Sequence, residues 1–162
     1  MTDLLARVHL LLQSCGRTVA TAESLTGGRL AVALTDVPGA SASYVGGVVT
    51  YATELKQSFL GVDERLVEQY GVISSECAKA MAAGVRAATG ATYGLATTGV
   101  AGPGVQGGKP AGTVFVGIAG PGVLEAVALE LRGKRSEIQE RTTREAFQAL
   151  EAVLQREETP LG

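Results

Sequence analysis

The sequence predicts a single three-layer α/β/α domain with a mixed, mostly parallel sheet that is followed by a β-hairpin and a closing helix. Segments with helical apolar spacing alternate with β-branched runs over the first hundred residues, as in sheets built from crossover connections. Two later strand-like segments flank Gly120-Pro121-Gly122, which is a hairpin signal. The 162 residues fit one ordinary domain, predicted to span 1–162, and no repeat or linker divides them.

The first half of the chain alternates helices and strands. Leucines at helical spacing mark the first helix, which Gly16 ends. Val- and Tyr-rich residues mark the clearest strand, while Asp63 and Gly71 suit the start and end of a short helix. The predicted elements are a helix at 3–14, a strand at 17–23, a helix at 29–37, a strand at 43–52, and helices at 53–61 and 63–71.

The second half begins with the most regular helix. Ser74 suits its N-cap, and an apolar stripe runs through Cys77, Met81 and Val85. Apolar strands and a long amphipathic segment follow, with a glycine-rich loop between the first two strands. The predicted elements are a helix at 74–90, strands at 92–99, 113–119 and 123–133, a helix at 135–157 and a frayed tail at about 158–162.

Composition excludes several classes of function. A net charge of −2 and the absence of Trp argue against nucleic-acid binding, and "RGKR" at 132–135 is interpreted as a solvated turn. Cys15, Cys77 and the single His9 form neither a metal motif nor a disulfide framework, and one histidine disfavours a Ser-His-Asp triad. No apolar run reaches membrane-spanning length and no signal-peptide pattern is present, so we expect a cytoplasmic protein without membrane contact.

Three polar loops follow predicted strands, where ligands bind in open α/β sheets. In the first, "TAESLTGG", Ser24 lies at a strand-to-helix turn, and the amides of Thr26, Gly27 and Gly28 could bind a phosphate or an oxyanion. The alternative is that Ser24 or Thr26 only caps the helix. No G-x-S-x-G elbow is present to favour the nucleophile.

The second loop contains residues that could act as a base, and the third could bind an anion. Tyr51 and Lys56 could serve a serine nucleophile, although a sheet tyrosine and a solvated lysine are the plainer interpretation. The loop at 97–112 is rich in glycine, which suits backbone amides approaching an anion, although it could also be a flexible lid. Lys109 is followed by Pro110, so the loop does not fit the P-loop motif.

Four segments in order resemble the CinA C-terminal domain family, whose characterised activity is that of nicotinamide-nucleotide amidohydrolase, or NMN deamidase. They are "TAESLTGG", "GGVVTYATELKQSFLGV", "TTGVAGPGVQGGKPAGTVFVGIA" and "KRSEIQERTTREAFQAL". The resemblance covers about residues 3–155 and implies the stand-alone form of the domain. It implies hydrolysis of nicotinamide mononucleotide to nicotinic acid mononucleotide and ammonia in nucleotide recycling, a chemistry that requires no metal or cofactor. Because homo-oligomers are common among soluble enzymes, we also expect a homo-oligomer.

The resemblance also implies roles for individual residues. Ser24 would be the nucleophile, and Lys56 would take its proton directly or through Tyr51. The alternatives are a non-catalytic nucleotide-binding module and an accessory protein linked to competence or DNA damage. The remaining implied substrate contacts are oxyanion donors at Thr26–Gly28 or Thr98-Gly99 and a phosphate site at Gly99, Gly102 and Gly104 with Lys109 or Arg141. Glu23 would orient Lys56 or a ribose hydroxyl, and the alternative for it is a structural salt bridge.

Overall fold

The computed structural model describes residues 1–158, so the rest of the expected frayed tail, 159–162, lies outside the described residues. The helices are α1 (Thr2–Ser14), α2 (Arg29–Thr35), α3 (Thr53–Leu60), α4 (Glu64–Tyr70), α5 (Ser75–Thr89) and α6 (Arg135–Glu158), with a short 3₁₀ turn at Ala40–Ala42. The strands are β1 (Val19–Glu23), β2 (Tyr44–Val49), β3 (Tyr93–Gly99), β4 (Thr113–Gly120) and β5 (Val123–Glu130). These elements confirm the predicted order of helices and strands.

The strands form one five-stranded sheet in the order β2-β1-β3-β4-β5. β1 pairs in parallel with β2 and β3, whereas β3 with β4 and β4 with β5 are antiparallel. The predicted mixed sheet and hairpin are therefore confirmed. We expected a mostly parallel sheet, but parallel and antiparallel pairings are equally frequent. The reason is that β4 runs antiparallel to β3 before the hairpin begins.

Helices cover both faces of the sheet, which gives the predicted three layers. α1, α2 and α6 bury Leu12, Phe147 and Leu150 against one face. α3, α4 and α5 pack on the other face, where alanines and Met81 surround β1 and β3. That second face is tight: a Cβ on Gly94 or Gly117 would lie about 2 Å from a carbonyl oxygen of α5. Glycine at these positions lets α5 lie directly on the sheet.

Local side chains fix several boundaries that the sequence predicted. The Asp63 carboxylate accepts a hydrogen bond from the Arg65 amide at the start of α4, and the Ser74 hydroxyl accepts one from Cys77 at the start of α5. His9 is buried in α1, bonded to the Ser43 hydroxyl and to the Leu34 carbonyl, so it serves the packing of that helix. None of the described helices is both long enough and apolar enough to cross a membrane.

Candidate active site

The candidate site lies where the three mutually parallel strands end. β1 leads into Ser24, β2 into Thr50 and Tyr51, and β3 into Val100, so their carboxyl ends meet at one edge of the sheet. A cavity of about 340 Å³ opens there. It is lined by Ser24, Leu25, Tyr51, Gly99, Val100, Ala101, Gly102, Gly104, Val105, Gln106 and Arg135.

Ser24 forms the first turn after β1 and is largely buried, with 9% of its surface exposed. Its amide donates to the Thr97 hydroxyl at 3.4 Å, and its carbonyl accepts from the Gly27 amide at 3.1 Å. The backbone is thereby held to the neighbouring strand β3. Ser24 lines the cavity, so a bound ligand would lie beside this turn.

Lys56 is a buried residue of α3, and its side chain reaches Ser24. Only 2% of its surface is exposed, and its Nζ lies 3.2 Å from Ser24 Oγ. Nζ also donates to the carbonyls of Thr50 at 2.6 Å and Tyr51 at 3.3 Å. Among residues 1–158, no carboxylate forms an ion pair with this ammonium. Burial lowers the pKa of Lys56 below its usual value of 10.5, because the charged form loses hydration.

The three contacts of Lys56 Nζ suit a proton acceptor. A neutral amine has two N–H donors and one lone pair, and the two backbone carbonyls take both donors. The charged amine donates its third hydrogen to Ser24 Oγ at 3.2 Å, and in the neutral amine the lone pair takes that direction. A neutral Lys56 can therefore accept the serine proton without moving its backbone supports.

Tyr51 contributes in two different ways. Its carbonyl supports Lys56, whereas its side chain is 61% exposed and accepts a hydrogen bond from Arg135 Nη2 at 2.9 Å. The hydroxyl therefore lies at the cavity rim with Arg135, and the proton relay from Ser24 through Tyr51 has no hydrogen bond to support it within residues 1–158. The direct contact between Ser24 and Lys56 makes such a relay unnecessary.

Arg135 is the charged residue of the cavity lining, and the sequence analysis did not predict it. It is the first residue of α6, and its Nη1 donates to the Gly102 carbonyl at 2.7 Å. Its guanidinium thus joins the glycine-rich loop to the Tyr51 hydroxyl across the rim. Arg135 ends the "RGKR" segment, which was interpreted as a solvated turn; the residue is exposed, and in addition it contacts the cavity rim.

Glu23 and Thr26 do not reach the cavity. The Glu23 carboxylate is buried and accepts hydrogen bonds from the amides of Gly28, Leu30 and Ala31, which begin helix α2. Its Oε1 also accepts from the Thr26 hydroxyl at 2.6 Å. Glu23, rather than Ser24 or Thr26, therefore caps the helix. The expectation that it lies beside Lys56 or a ribose is corrected by these contacts, because all of them are local to the turn.

A continuous chain of hydrogen bonds locks the turn that carries Ser24. The Thr26 hydroxyl donates to Glu23, so it must accept from the Thr97 hydroxyl, which lies at 2.9 Å. Thr97 in turn accepts from the Ser24 amide. The nucleophile candidate is thus positioned by a buried carboxylate through two threonines, and none of these side chains needs to touch a ligand.

Replacing Glu23 with Gln is expected to lower the free energy of unfolding by about 2–3 kcal/mol, because charge-assisted bonds are lost and an NH₂ group faces a helix amide. Urea unfolding checks the value. Glu68→Gln, at an exposed position of α4, is the matched control and is expected to change stability by less than about 0.5 kcal/mol. Equal stability of the wild type and Glu23→Gln would contradict the capping role.

The same contacts change the expected oxyanion donors. The Gly27 amide donates to the Ser24 carbonyl and the Gly28 amide to Glu23, so neither is free for a ligand. Within residues 1–158, the amides of Leu25 and Thr26 have no protein acceptor, and Leu25 lines the cavity. Within this turn, the Leu25 amide is therefore the donor that lies at the cavity beside Ser24, and Leu25 was not predicted.

The remaining predicted ligand contacts divide into two groups. Gly99, Gly102 and Gly104 line the cavity. Thr98 is buried, and its hydroxyl donates to the Val72 carbonyl at 2.6 Å. Lys109 pairs through its backbone with Gln106 and does not line the cavity, and Arg141 is an exposed residue farther along α6. Arg135, and neither of the cations predicted for phosphate binding, therefore lines the cavity.

Comparison with known proteins gives a consistent result. The family model described as the CinA C-terminal domain matches residues 1–154. A CinA-like protein of Frankia casuarinae is 64% identical over 104 residues, covering 64% of this chain and 24% of that protein. A putative competence-damage inducible protein of Halalkalibacterium halodurans is 42% identical over 150 residues, covering 92% of this chain and 36% of that protein. The chain therefore spans about a third or less of these curated relatives.

Solved structures are similar over nearly the whole chain. A CinA superfamily protein of Klebsiella pneumoniae superposes with a TM-score of 0.92 at 33% identity, covering 96% of this chain and 98% of that one. A competence/damage inducible protein of Agrobacterium tumefaciens gives 0.89 at 33% identity, covering 95% and 94%. The arrangement of sheet and helices around the cavity is thus an arrangement found in crystals of similar chains.

Proposed function

We propose that this chain, which belongs to the CinA C-terminal domain family, is an amidohydrolase that converts nicotinamide mononucleotide and water to nicotinic acid mononucleotide and ammonia. The observation that carries the proposal is the buried contact of 3.2 Å between Ser24 Oγ and Lys56 Nζ at the wall of an open cavity. A serine with an adjacent base is the arrangement that covalent hydrolysis of an amide requires.

The first half of the reaction uses Lys56 twice. Ser24 Oγ attacks the carboxamide carbon while the neutral Lys56 amine accepts the hydroxyl proton. The C–N bond then breaks as Lys56 returns that proton to the departing nitrogen, which leaves as ammonia. An acyl ester on Ser24 remains. The amide of Leu25, a residue that lines the cavity, is the donor we assign to the negatively charged oxygen of the tetrahedral intermediate.

The second half reverses these roles with water. Water attacks the acyl carbon, Lys56 accepts its proton, and the proton then passes to Ser24 Oγ as the ester bond breaks. The products are the nicotinic acid carboxylate, one proton and the free enzyme. The backbone carbonyls of Thr50 and Tyr51 hold the Lys56 amine in place through both halves.

Arg135 and the glycine-rich loop are the parts of the cavity suited to the nucleotide phosphate. A guanidinium binds phosphate oxygens in pairs, and glycines let the backbone approach closely. Arg135 lines the cavity together with Gly102 and Gly104. We therefore assign it to phosphate binding, with the Tyr51 hydroxyl holding it at the rim.

Replacing Arg135 with Ala is expected to raise the KM for nicotinamide mononucleotide about 10- to 100-fold, the loss of one charge-assisted contact, with a smaller effect on kcat. Steady-state kinetics checks this. Arg141→Ala, at an exposed position of the same helix outside the cavity lining, is the control and should leave KM within about two-fold. A larger effect of Arg141→Ala than of Arg135→Ala would reverse the assignment.

The proposed activity is tested by measuring ammonia release from nicotinamide mononucleotide by the purified chain. We expect turnover with stoichiometric formation of the acid nucleotide. Binding of the nucleotide without ammonia release would contradict the enzyme assignment and favour a nucleotide-binding module. Calorimetry on the same preparation separates that outcome from a complete failure to bind.

A further inference from the structure

Gln139 is a buried polar residue of α6 to which the reaction steps above give no role. Only 8% of its surface is exposed, and its side-chain Nε2 donates to the Leu25 carbonyl at 2.9 Å. Because a carbonyl oxygen only accepts hydrogen bonds, the side-chain amide has to turn its NH₂ group towards Leu25. The two residues are 114 positions apart in sequence, so this bond joins the last helix to the turn that carries Ser24.

The Leu25 amide, the donor assigned to the oxyanion, belongs to the peptide unit between Ser24 and Leu25. The carbonyl of that unit accepts a hydrogen bond from the Gly27 amide at 3.1 Å. Because a trans peptide unit is planar, its N–H points away from its carbonyl, and a rotation of the unit changes the direction of the donor. Adjacent units share a Cα atom, so this direction also depends on how the two flanking units are held.

Side chains from other elements hold both flanking peptide units. On the preceding unit, the Ser24 amide donates to the Thr97 hydroxyl at 3.4 Å, which is a long hydrogen bond. On the following unit, the Leu25 carbonyl accepts from Gln139 at 2.9 Å, which is the ordinary length for such a bond. Gln139 is therefore the closer of these two side-chain supports beside the oxyanion donor.

The beginning of α6 contacts the site in two places. Arg135 and Gln139 are four positions apart, which puts them on the same face of the helix. Arg135 binds the Gly102 carbonyl at the cavity rim, whereas Gln139 binds the turn after β1. The Leu25 side chain also lies in a buried apolar cluster with Ile138 of the same helix. The first turns of α6 thus hold Leu25 by its carbonyl and by its side chain.

We propose that Gln139 is a positioning residue, which holds the Leu25 carbonyl and thereby directs the Leu25 amide at the oxygen that becomes negatively charged. The proposal rests on the proposed function, since it requires acyl transfer at Ser24. Gln139 does not line the cavity, so its loss should lower kcat and leave KM unchanged. A donor fixed in advance stabilises the transition state without reorganisation, and a displacement of about 1 Å can cost about 10²-fold in rate.

The first experiment compares the steady-state kinetics of ammonia release from nicotinamide mononucleotide. Gln139→Met keeps the length of the side chain and removes the donor, so kcat should fall about 10- to 100-fold with KM within about two-fold. Gln139→Lys restores a donor and should recover most of the lost kcat. Gln148→Met, the same substitution at an exposed position of α6, is the control and should behave as the wild type. A wild-type kcat for Gln139→Met, or equal losses in folded Gln139→Met and Gln139→Lys, overturns the proposal.

The second experiment separates this proposal from the choice of substrate. p-Nitrophenyl acetate acylates an activated serine through the same kind of tetrahedral intermediate, and release of p-nitrophenolate, with Ser24→Ala as the blank, measures acetylation of Ser24. Gln139→Met should slow it about 10- to 100-fold. This slowing in a chain that releases no ammonia would contradict the proposed substrate and support the role of Gln139. Equal acetylation of the wild type and Gln139→Met, or no acetylation of Ser24 at all, overturns the positioning role.

Circular dichroism verifies that Gln139→Met is folded. If it is not, Gln139→Glu replaces it in both experiments, because glutamate keeps the shape of the side chain and presents an acceptor where the donor was. The same loss of kcat at unchanged KM is then expected, and a wild-type kcat for Gln139→Glu overturns the proposal.

Discussion

Ser24→Ala is expected to reduce kcat for ammonia release from nicotinamide mononucleotide by a factor of about 10⁴ or more, because Ser24 Oγ forms the acyl intermediate in the proposed mechanism. Ser24 Oγ is the hydroxyl that both lines the cavity and contacts Lys56 Nζ. The residual rate would come from binding and oxyanion stabilisation, which remain after a nucleophile is removed. Steady-state kinetics with an ammonia-coupled assay measures the loss.

The control for this substitution has to separate chemistry from folding and binding. Ser41→Ala removes an exposed hydroxyl and should leave kcat unchanged. Nucleotide binding to Ser24→Ala, measured by calorimetry, should stay within about ten-fold of the wild type, since Arg135 and the glycine-rich loop are untouched. An Ser24→Ala variant that turns over at the wild-type rate would show that water attacks directly and that Ser24 is not the nucleophile.

The fold was predictable because its signals are local. Helical and alternating apolar periods, the Asp63 and Ser74 caps and the turn at Pro121-Gly122 are all readable within a few residues. The share of antiparallel pairing could not be predicted, because it depends on which strand β4 pairs with. That pairing is determined by packing across the whole sheet, where Gly117 lets β4 lie beneath α5.

Some residues of the candidate site were also predictable from the sequence, and others were not. The loops that carry Ser24, Tyr51 and Lys56 were identified because each follows a predicted strand, and parallel strands end together. Arg135 was missed because its partners, Gly102 and Tyr51, lie 33 and 84 positions away in sequence. Arg141 was chosen instead, but six residues along a helix rotate a side chain by about 240° and move it about 9 Å.

Glu23 shows a different limit of sequence reasoning. A carboxylate beside a candidate nucleophile suggests participation in chemistry, yet here its acceptors are filled by the turn itself. Only the path of the backbone, with Gly27 and Gly28 at positive φ, brings the helix amides to this side chain. In the sequence, Glu23 is next to the candidate nucleophile Ser24. In the structure, its carboxylate accepts hydrogen bonds from the turn and the start of α2.

Lys56→Met is expected to reduce kcat about 10²- to 10⁴-fold, the usual contribution of a positioned base, while nucleotide binding is retained. Methionine keeps the length and packing of the side chain but cannot accept a proton. Lys79→Met on α5, outside the cavity lining, is the matched control and should retain full activity. Lys56→Arg should also be inactive at every accessible pH, because a guanidinium does not become neutral.

The pH dependence of the wild type tests the same role from its protonation state. Burial lowers the pKa of Lys56 from 10.5, and the proposed mechanism uses the neutral amine. kcat/KM should therefore fall as pH drops below this lowered pKa. This acidic decline of the pH profile should lie at lower pH than it would if the base were an exposed lysine. A decline at the usual lysine value, or a profile identical in shape for the residual activity of Lys56→Met, would contradict a neutral Lys56 base.

Stability gives an independent measure of that protonation state. Because the folded-state pKa of Lys56 lies below 10.5, the unfolded chain binds more protons in the window between the two values. The contribution of Lys56 to the free energy of unfolding should therefore rise with pH through that window and be flat below the folded pKa. Urea unfolding of the wild type and Lys56→Met at matched pH isolates this contribution as their difference. A difference that does not change with pH would mean that Lys56 keeps its ordinary pKa, and the amine directed at Ser24 would then be charged and unable to act as a base.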